Sequence, residues 1–102
     1  MPKPETKFRL SKVDPFLKTL KNSWFTTVQQ VSITGTPDKL GCCAGRFVAL
    51  ELKSAGGKLG KLQEYNLHKV MGAGGVALVA HPGNWEDVKM LLTKLDQGED
   101  VT

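Results

Sequence analysis

Gly35-Thr36-Pro37-Asp38, followed by Gly45-Arg46-Phe47-Val48-Ala49-Leu50-Glu51-Leu52-Lys53, is the stretch on which the reading of this chain turns. Alternate side chains of a strand share a face. A strand over residues 46–53 therefore sets Phe47, Ala49, Glu51 and Lys53 on one side, with Val48, Leu50 and Leu52 on the other. Two charges on an otherwise apolar strand face are costly unless they are paired or used. Residues 38–43 read as the preceding strand, and Ala44-Gly45 is a link of hairpin length. That hairpin carries the Asp38 carboxylate towards Glu51. Two close carboxylates repel, and one gains a proton unless a cation sits between them. An all-oxygen site of this kind suits Mg²⁺ or Mn²⁺, ions that keep several waters and favour phosphate substrates. Lys53 beside the ion can orient an attacking water and offset charge building on a phosphate.

The same three residues also read as a surface ion pair, Glu51 with Lys53, and a plain turn residue at Asp38. The next helix, predicted over residues 58–73, separates the two. Placed at 100° steps, Leu59, Leu62, Leu67 and Val70 define an apolar face, and Gln63 and Asn66 fall inside it. A buried glutamine needs partners. The strand edge carrying Glu51 and Lys53 would supply them; the alternative is a side chain snorkelling at the edge of the face.

Outward from this centre, residues 6–22 place Phe8, Val13, Phe16, Leu17 and Leu20 at helical spacing. Pro15 either bends that helix or opens a second one after Asp14. Residues 24–33, with Val31 and Ile33 alternating, read as a strand, and residues 34–37 as a turn. Gly74-Gly75 closes the central helix. Residues 76–80 are an unbroken apolar strand of the kind found inside a sheet. Asn84 caps a last helix whose one side holds Trp85, Val88, Leu91, Leu92 and Leu95. Residues 1–5 are expected to fray and residues 97–102 to form a polar tail. The predicted order is helix, three strands, helix, strand, helix, an α/β mixed-sheet fold in one domain over residues 1–102.

The 102 residues, 40% hydrophobic and 24% charged, suit a single globular domain and argue against a disordered chain. No apolar run approaches the roughly 18 residues of a membrane span. The start has no signal-peptide character. Cys42 and Cys43 are adjacent and cannot build a disulfide framework, so a reducing, cytoplasmic compartment is expected. With His68 and His81 they match no usual zinc-finger spacing, and strand packing accounts for them better. Trp24 and Trp85 read as core or interface anchors. Net charge is +4, spread as +4 over residues 1–52, +3 over 53–69 and −3 over 84–102. A basic body with an acidic tail suits a protein that holds a polyanion on one side. Lys58, Lys61 and Lys69, with Lys39, are the candidate DNA-backbone contacts.

Pro37-Asp38, twelve intervening residues, then Glu51-Leu52-Lys53 resembles the motif of the PD-(D/E)XK nuclease superfamily. With Gly41-Cys42, Leu62-Gln63 and Ala73-Gly74-Gly75 added, the chain is similar to stand-alone virus-type VRR-NUC nucleases from about residue 5 to 95. The resemblance implies a restriction-endonuclease-like αβββαβα core. It implies a divalent ion held by Asp38, Glu51 and the Leu52 backbone carbonyl, with Lys53 as the catalytic lysine and Gln63 near the site. Glu5 is the counterpart of an acidic residue that many relatives add from the first helix. Compact members are similar to Holliday-junction resolvases, which act as homodimers on branched DNA. The expectation is an Mg²⁺-dependent endodeoxyribonuclease, dimeric and selective for branched DNA, in a bacterial or phage-infected cytoplasm. Its rivals are a nuclease without junction preference, a non-catalytic DNA-binding module of the same fold, and a structural protein using Trp24 and Trp85.

Overall fold

The hairpin forms where the sequence puts it. β2 (Lys39–Cys43) and β3 (Arg46–Leu52) pair antiparallel, with Leu40 opposite Ala49 and Cys43 opposite Arg46. Between them Ala44 and Gly45 both take positive φ, 48° and 87°, as a two-residue type I′ turn requires. Only glycine takes such a conformation freely, so Ala44 is held there by the register on either side. The structure is a computed structural model and describes residues 3–28 and 35–101.

β1 (Ser23–Thr27) pairs antiparallel with β2, and β4 (Val76–Ala80) pairs parallel with β3. The sheet order is β1-β2-β3-β4. β4 therefore stands at an edge and not inside the sheet as its apolar run suggested; a strand covered on both faces reads the same whether it has one neighbour or two. The predicted extension of β1 through Val31 and Ile33 lies outside the described residues.

Before β1 comes one helical segment in three parts: α1 (Pro4–Phe8), a π turn (Arg9–Val13) and α2 (Asp14–Leu17). Pro4 and Glu5 start the helix. Proline suits the first helical turn, and Phe8 anchors the segment by packing edge-on to Trp85 at 5.5 Å between ring centroids. The helix ends at Leu17, five residues short of the predicted 22. Thr19 closes that end, its N–H and its Oγ1 both donating to Phe16 O, whereas Pro15, without an N–H, interrupts the ladder on its N-terminal side.

α3 (Lys61–Gly72) crosses from β3 to β4 and ends in a Schellman cap. There Gly75 N–H donates to Val70 O and Gly74 N–H to Met71 O, each at 3.0 Å. Its predicted first turn, Lys58 and Leu59, is loop. α4 (Trp85–Asp96) follows the turn at His81. Asn84 precedes it but caps nothing with its side chain. Instead its Oδ1 accepts His81 N–H and its Nδ2 donates to Val79 O, both at 2.8 Å, so it knits the turn.

α1, α2 and α4 cover one face of the sheet and α3 the other. Val48, Leu50, Leu52, Val76 and Ala80 join Phe8, Val13, Leu17, Trp85, Val88, Leu92 and Leu95 in one core. Burying a leucine such as Leu50 or Leu92 completely contributes about 2–3 kcal/mol. A Cα radius of gyration of 12.9 Å matches the roughly 13 Å of a compact 100-residue domain. The expected α/β mixed-sheet order is thus the observed one. Trp24 is not a core anchor, since it stands 68% exposed on β1. The tail folds back, with Val101 against the core and Asp100 paired with Arg46 at 3.2 Å.

Candidate active site

Asp38 directly precedes β2, and the register that sets Lys39 opposite Leu50 places it beside Glu51. Three contacts lock it there. Its carbonyl accepts Val28 N–H at 2.8 Å, its own N–H donates to Glu51 Oε1 at 3.2 Å, and its Oδ2 accepts Leu52 N–H at 2.8 Å. The two carboxyls face one another. Like charges directly opposite in a sheet are destabilising, and here one of them is 1% exposed.

Glu51 responds as a crowded, buried acid must. Burial and then the neighbouring Asp38 carboxylate push its pKa up to about 8, and Lys53 only partly offsets the rise. Its Oε2 is buried without a hydrogen-bond partner. Two ionised carboxylates cannot satisfy one another, because both are acceptors. Either a proton on Glu51 or a cation between the pair resolves the conflict. A divalent ion therefore fits this donor set: two carboxylate groups, an orphaned buried oxygen, and the Leu52 carbonyl at the strand end.

Lys53 extends β3 by one residue, its N–H donating to Ala80 O at 2.9 Å. Its ammonium donates to Gln63 Oε1 at 2.9 Å. The same oxygen accepts Gly60 N–H at 2.9 Å and closes the first turn of α3. Gln63 is thus a half-buried partner of Lys53, and not a side chain snorkelling free. One turn on, Asn66 Nδ2 donates to Gly35 O at 2.8 Å, fastening the loop that leads into Pro37-Asp38. Gly35 has φ +83°, and a Cβ there would lie 2.5 Å from Leu62 Cγ. Gly35 and Asn66 are functional neighbours that spacing alone did not reveal as a pair.

The sequences and folds of known proteins add nothing here. No family model, curated protein or solved structure matches the chain. The site therefore stands on its geometry.

A small cleft of about 70 Å³ opens beside the carboxylates, lined by Glu5, Thr6, Arg9, Asp38 and Leu52. Glu5 faces this cleft from α1. Even so, among the described residues no three His, Cys, Asp or Glu side chains gather closely enough to hold an ion. The close set is Asp38 and Glu51, with Glu5 on the far wall. Larger clefts of about 500 and 480 Å³ lie against α4 and between α1 and α4, away from the pair.

The four candidate DNA lysines divide. Lys58, Lys61 and Lys69 are exposed before and along α3, and Lys69 Nζ stands 6.0 Å from the Tyr65 ring centroid. Lys39 is 6% exposed, ion-paired with Asp14 and hydrogen-bonded to Thr27 Oγ1 at 2.8 Å. It holds α2 to the sheet and has no access to a phosphate. Strand alternation turns it to the opposite face from Asp38, which is why it fails where its neighbour succeeds.

Proposed function

We propose that the protein is a divalent-metal-dependent DNA endonuclease that hydrolyses phosphodiester bonds. One observation carries the reading: the buried Glu51 carboxyl, with an unpartnered oxygen, faces Asp38 and stands two residues from a lysine held by a glutamine. Asp38, Glu51 and the Leu52 carbonyl would hold Mg²⁺ or Mn²⁺, with Glu5 across the cleft. When bound, such an ion lowers the pKa of water and polarises a phosphoryl oxygen.

The chain's own residues do the rest. Gln63 fixes the Lys53 ammonium in place, so its remaining N–H groups can orient the attacking water. The same positive charge offsets the charge that grows on the phosphate oxygens as the bond to the leaving group breaks. Asp38, braced by Leu52 N–H, cannot swing away when the pair is charged. Lys58, Lys61 and Lys69 would meet the backbone without regard to sequence. Branched DNA such as a four-way junction is the substrate we favour, cut by a homodimer that spaces two such sites. Both follow from the motif resemblance, as does a bacterial or phage-infected cytoplasm as the setting. Among the described residues no helix is long and apolar enough to cross a membrane.

The test is a cleavage assay on a labelled four-way junction and a linear duplex, with Mg²⁺, Mn²⁺ or EDTA. Metal-dependent nicks are expected, lost in Glu51→Gln and Lys53→Ala while a retarded DNA band persists. A Glu51→Gln protein that cuts at the wild-type rate overturns the assignment. Retardation without products under any metal makes the protein a binding module instead.

A further inference from the structure

Arg9 has no place in the chemistry above, yet it lines the cleft that Asp38 and Leu52 open onto. It sits where the first helix departs from α geometry. Asp14 N–H donates to Arg9 O, a five-residue step that widens the turn. In a regular α-helix residues five apart stand about 140° from one another around the axis. The π turn brings them together, and Arg9 Nη1 donates to Asp14 Oδ2 at 3.1 Å. Such π turns occur often at functional sites.

Asp14 does not need Arg9. It is already paired with the buried Lys39, so two cations share one carboxylate and the trio keeps a positive charge. One of the five guanidinium N–H donors is engaged by Asp14. Glu5, one turn earlier on the same wall, forms no ion pair with Arg9 among the described residues. The cleft has room for about two water volumes, far below the 300–1,000 Å³ of an organic-ligand pocket. A phosphate group fits that scale; Glu5 and Asp38 bring carboxylates to the same cleft, so Arg9 is the cation in its lining, and a planar guanidinium matches two phosphate oxygens at once.

We infer that Arg9 is a phosphate-binding residue: its guanidinium, aimed by Asp14, holds a backbone phosphate of the strand that reaches Asp38 and Glu51. The inference rests on the nuclease reading for its substrate, but its test needs no cleavage. Binding of a fluorescent four-way junction is measured in EDTA between 50 and 200 mM salt, in a Glu51→Gln background. Losing one phosphate contact reduces the slope of log affinity against log salt by about 0.9. Over that fourfold salt range, Arg9→Gln should therefore lose about 3.5-fold less affinity than its parent. Arg9→Lys, which keeps the charge, should retain the parental slope. An unchanged slope in Arg9→Gln overturns the proposal, and a lowered melting temperature alongside it assigns Arg9 to the scaffold. Normal DNA binding with no metal-dependent cleavage by the wild type sinks the nuclease reading and leaves the Arg9 result standing on its own.

Discussion

Glu51 is a strand residue whose side chain is almost wholly out of water, and it faces another carboxyl. In the unfolded chain such an acid titrates near 4.3. In the folded protein it titrates near 8, raised by burial and by Asp38. The folded state therefore holds a proton that the unfolded state has released across this window, so stability falls as pH rises between the two values. Relative to Glu51→Gln, which never ionises, the wild type in EDTA should be most stable near pH 4 and least stable above pH 8. Urea melts at several pH values read this directly. A difference that does not change with pH would mean that folding leaves the Glu51 pKa where the unfolded chain has it. A divalent ion bound as proposed would compete with that proton, since a ligating carboxylate must be deprotonated. Mg²⁺ affinity by calorimetry should rise about tenfold per pH unit below pH 8 and level off above it. The carboxylate conflict itself was legible in the sequence, because strand alternation and hairpin length both point Asp38 at Glu51. The fate of Lys39 was not: its partner Asp14 is far along the chain, and nothing local says that the two meet.

At the scale of elements, α3 decides how rigid the site is. Its first two turns hold both working segments, Gln63 on Lys53 and Asn66 on the Gly35 loop. Asn66→Ala leaves the Gly35 carbonyl short of a donor, which costs about 1–2 kcal/mol. The Asp38 end of the hairpin loosens with it. We expect cleavage turnover to fall about tenfold, with junction affinity unchanged, because the Asn66 side chain hydrogen-bonds to the Gly35 loop and, among the described residues, to none of the proposed DNA-binding lysines, and small misplacements of a reacting group are expensive. A turnover equal to wild type would show that Asp38 is held by its strand contacts alone. Helix, hairpin and strand order were readable from periodicity, and the αβββαβα succession followed. Three features were not readable. The π turn arises from a helix already committed on both sides of Pro15. The edge position of β4 is a matter of neighbours, which apolar runs do not encode. Asn84 looked like a cap because the residue type suits one, yet Val79 O and His81 N–H were nearer partners.

Across the whole molecule, the scaffold and the site are held by different bonds. The last turn of α4 returns to the start of β1, where Asp96 Oδ1 accepts Asn22 N–H at 2.7 Å and Ser23 Oγ–H at 2.6 Å. Asn22 Nδ2 adds a bond to Asp96 O at 3.1 Å, so residues 74 apart in sequence are clasped at one corner. These bonds, Ser23 first, hold the Asp96 carboxyl below its ordinary pKa in spite of burial. An acid with a depressed folded pKa contributes stability above its unfolded pKa near 3.9, and loses it as pH falls through the folded value. Asp96→Ala should thus lower stability by about 2–3 kcal/mol at neutral pH, the loss of two bonds to a charged acceptor. For a domain of this size that shifts the melting temperature by roughly 10–20 °C. The deficit should shrink as pH falls through the folded Asp96 pKa, where the wild type loses the same interaction. The clasp lies at the Cys43 end of the sheet, whereas Asp38 and Lys53 lie at the other end of the hairpin. Below its melting temperature Asp96→Ala should therefore cleave with the wild-type turnover number. Unequal turnover in a fully folded sample would mean that the corner and the carboxylates are coupled through the sheet, and that the scaffold cannot be treated as separate from the chemistry.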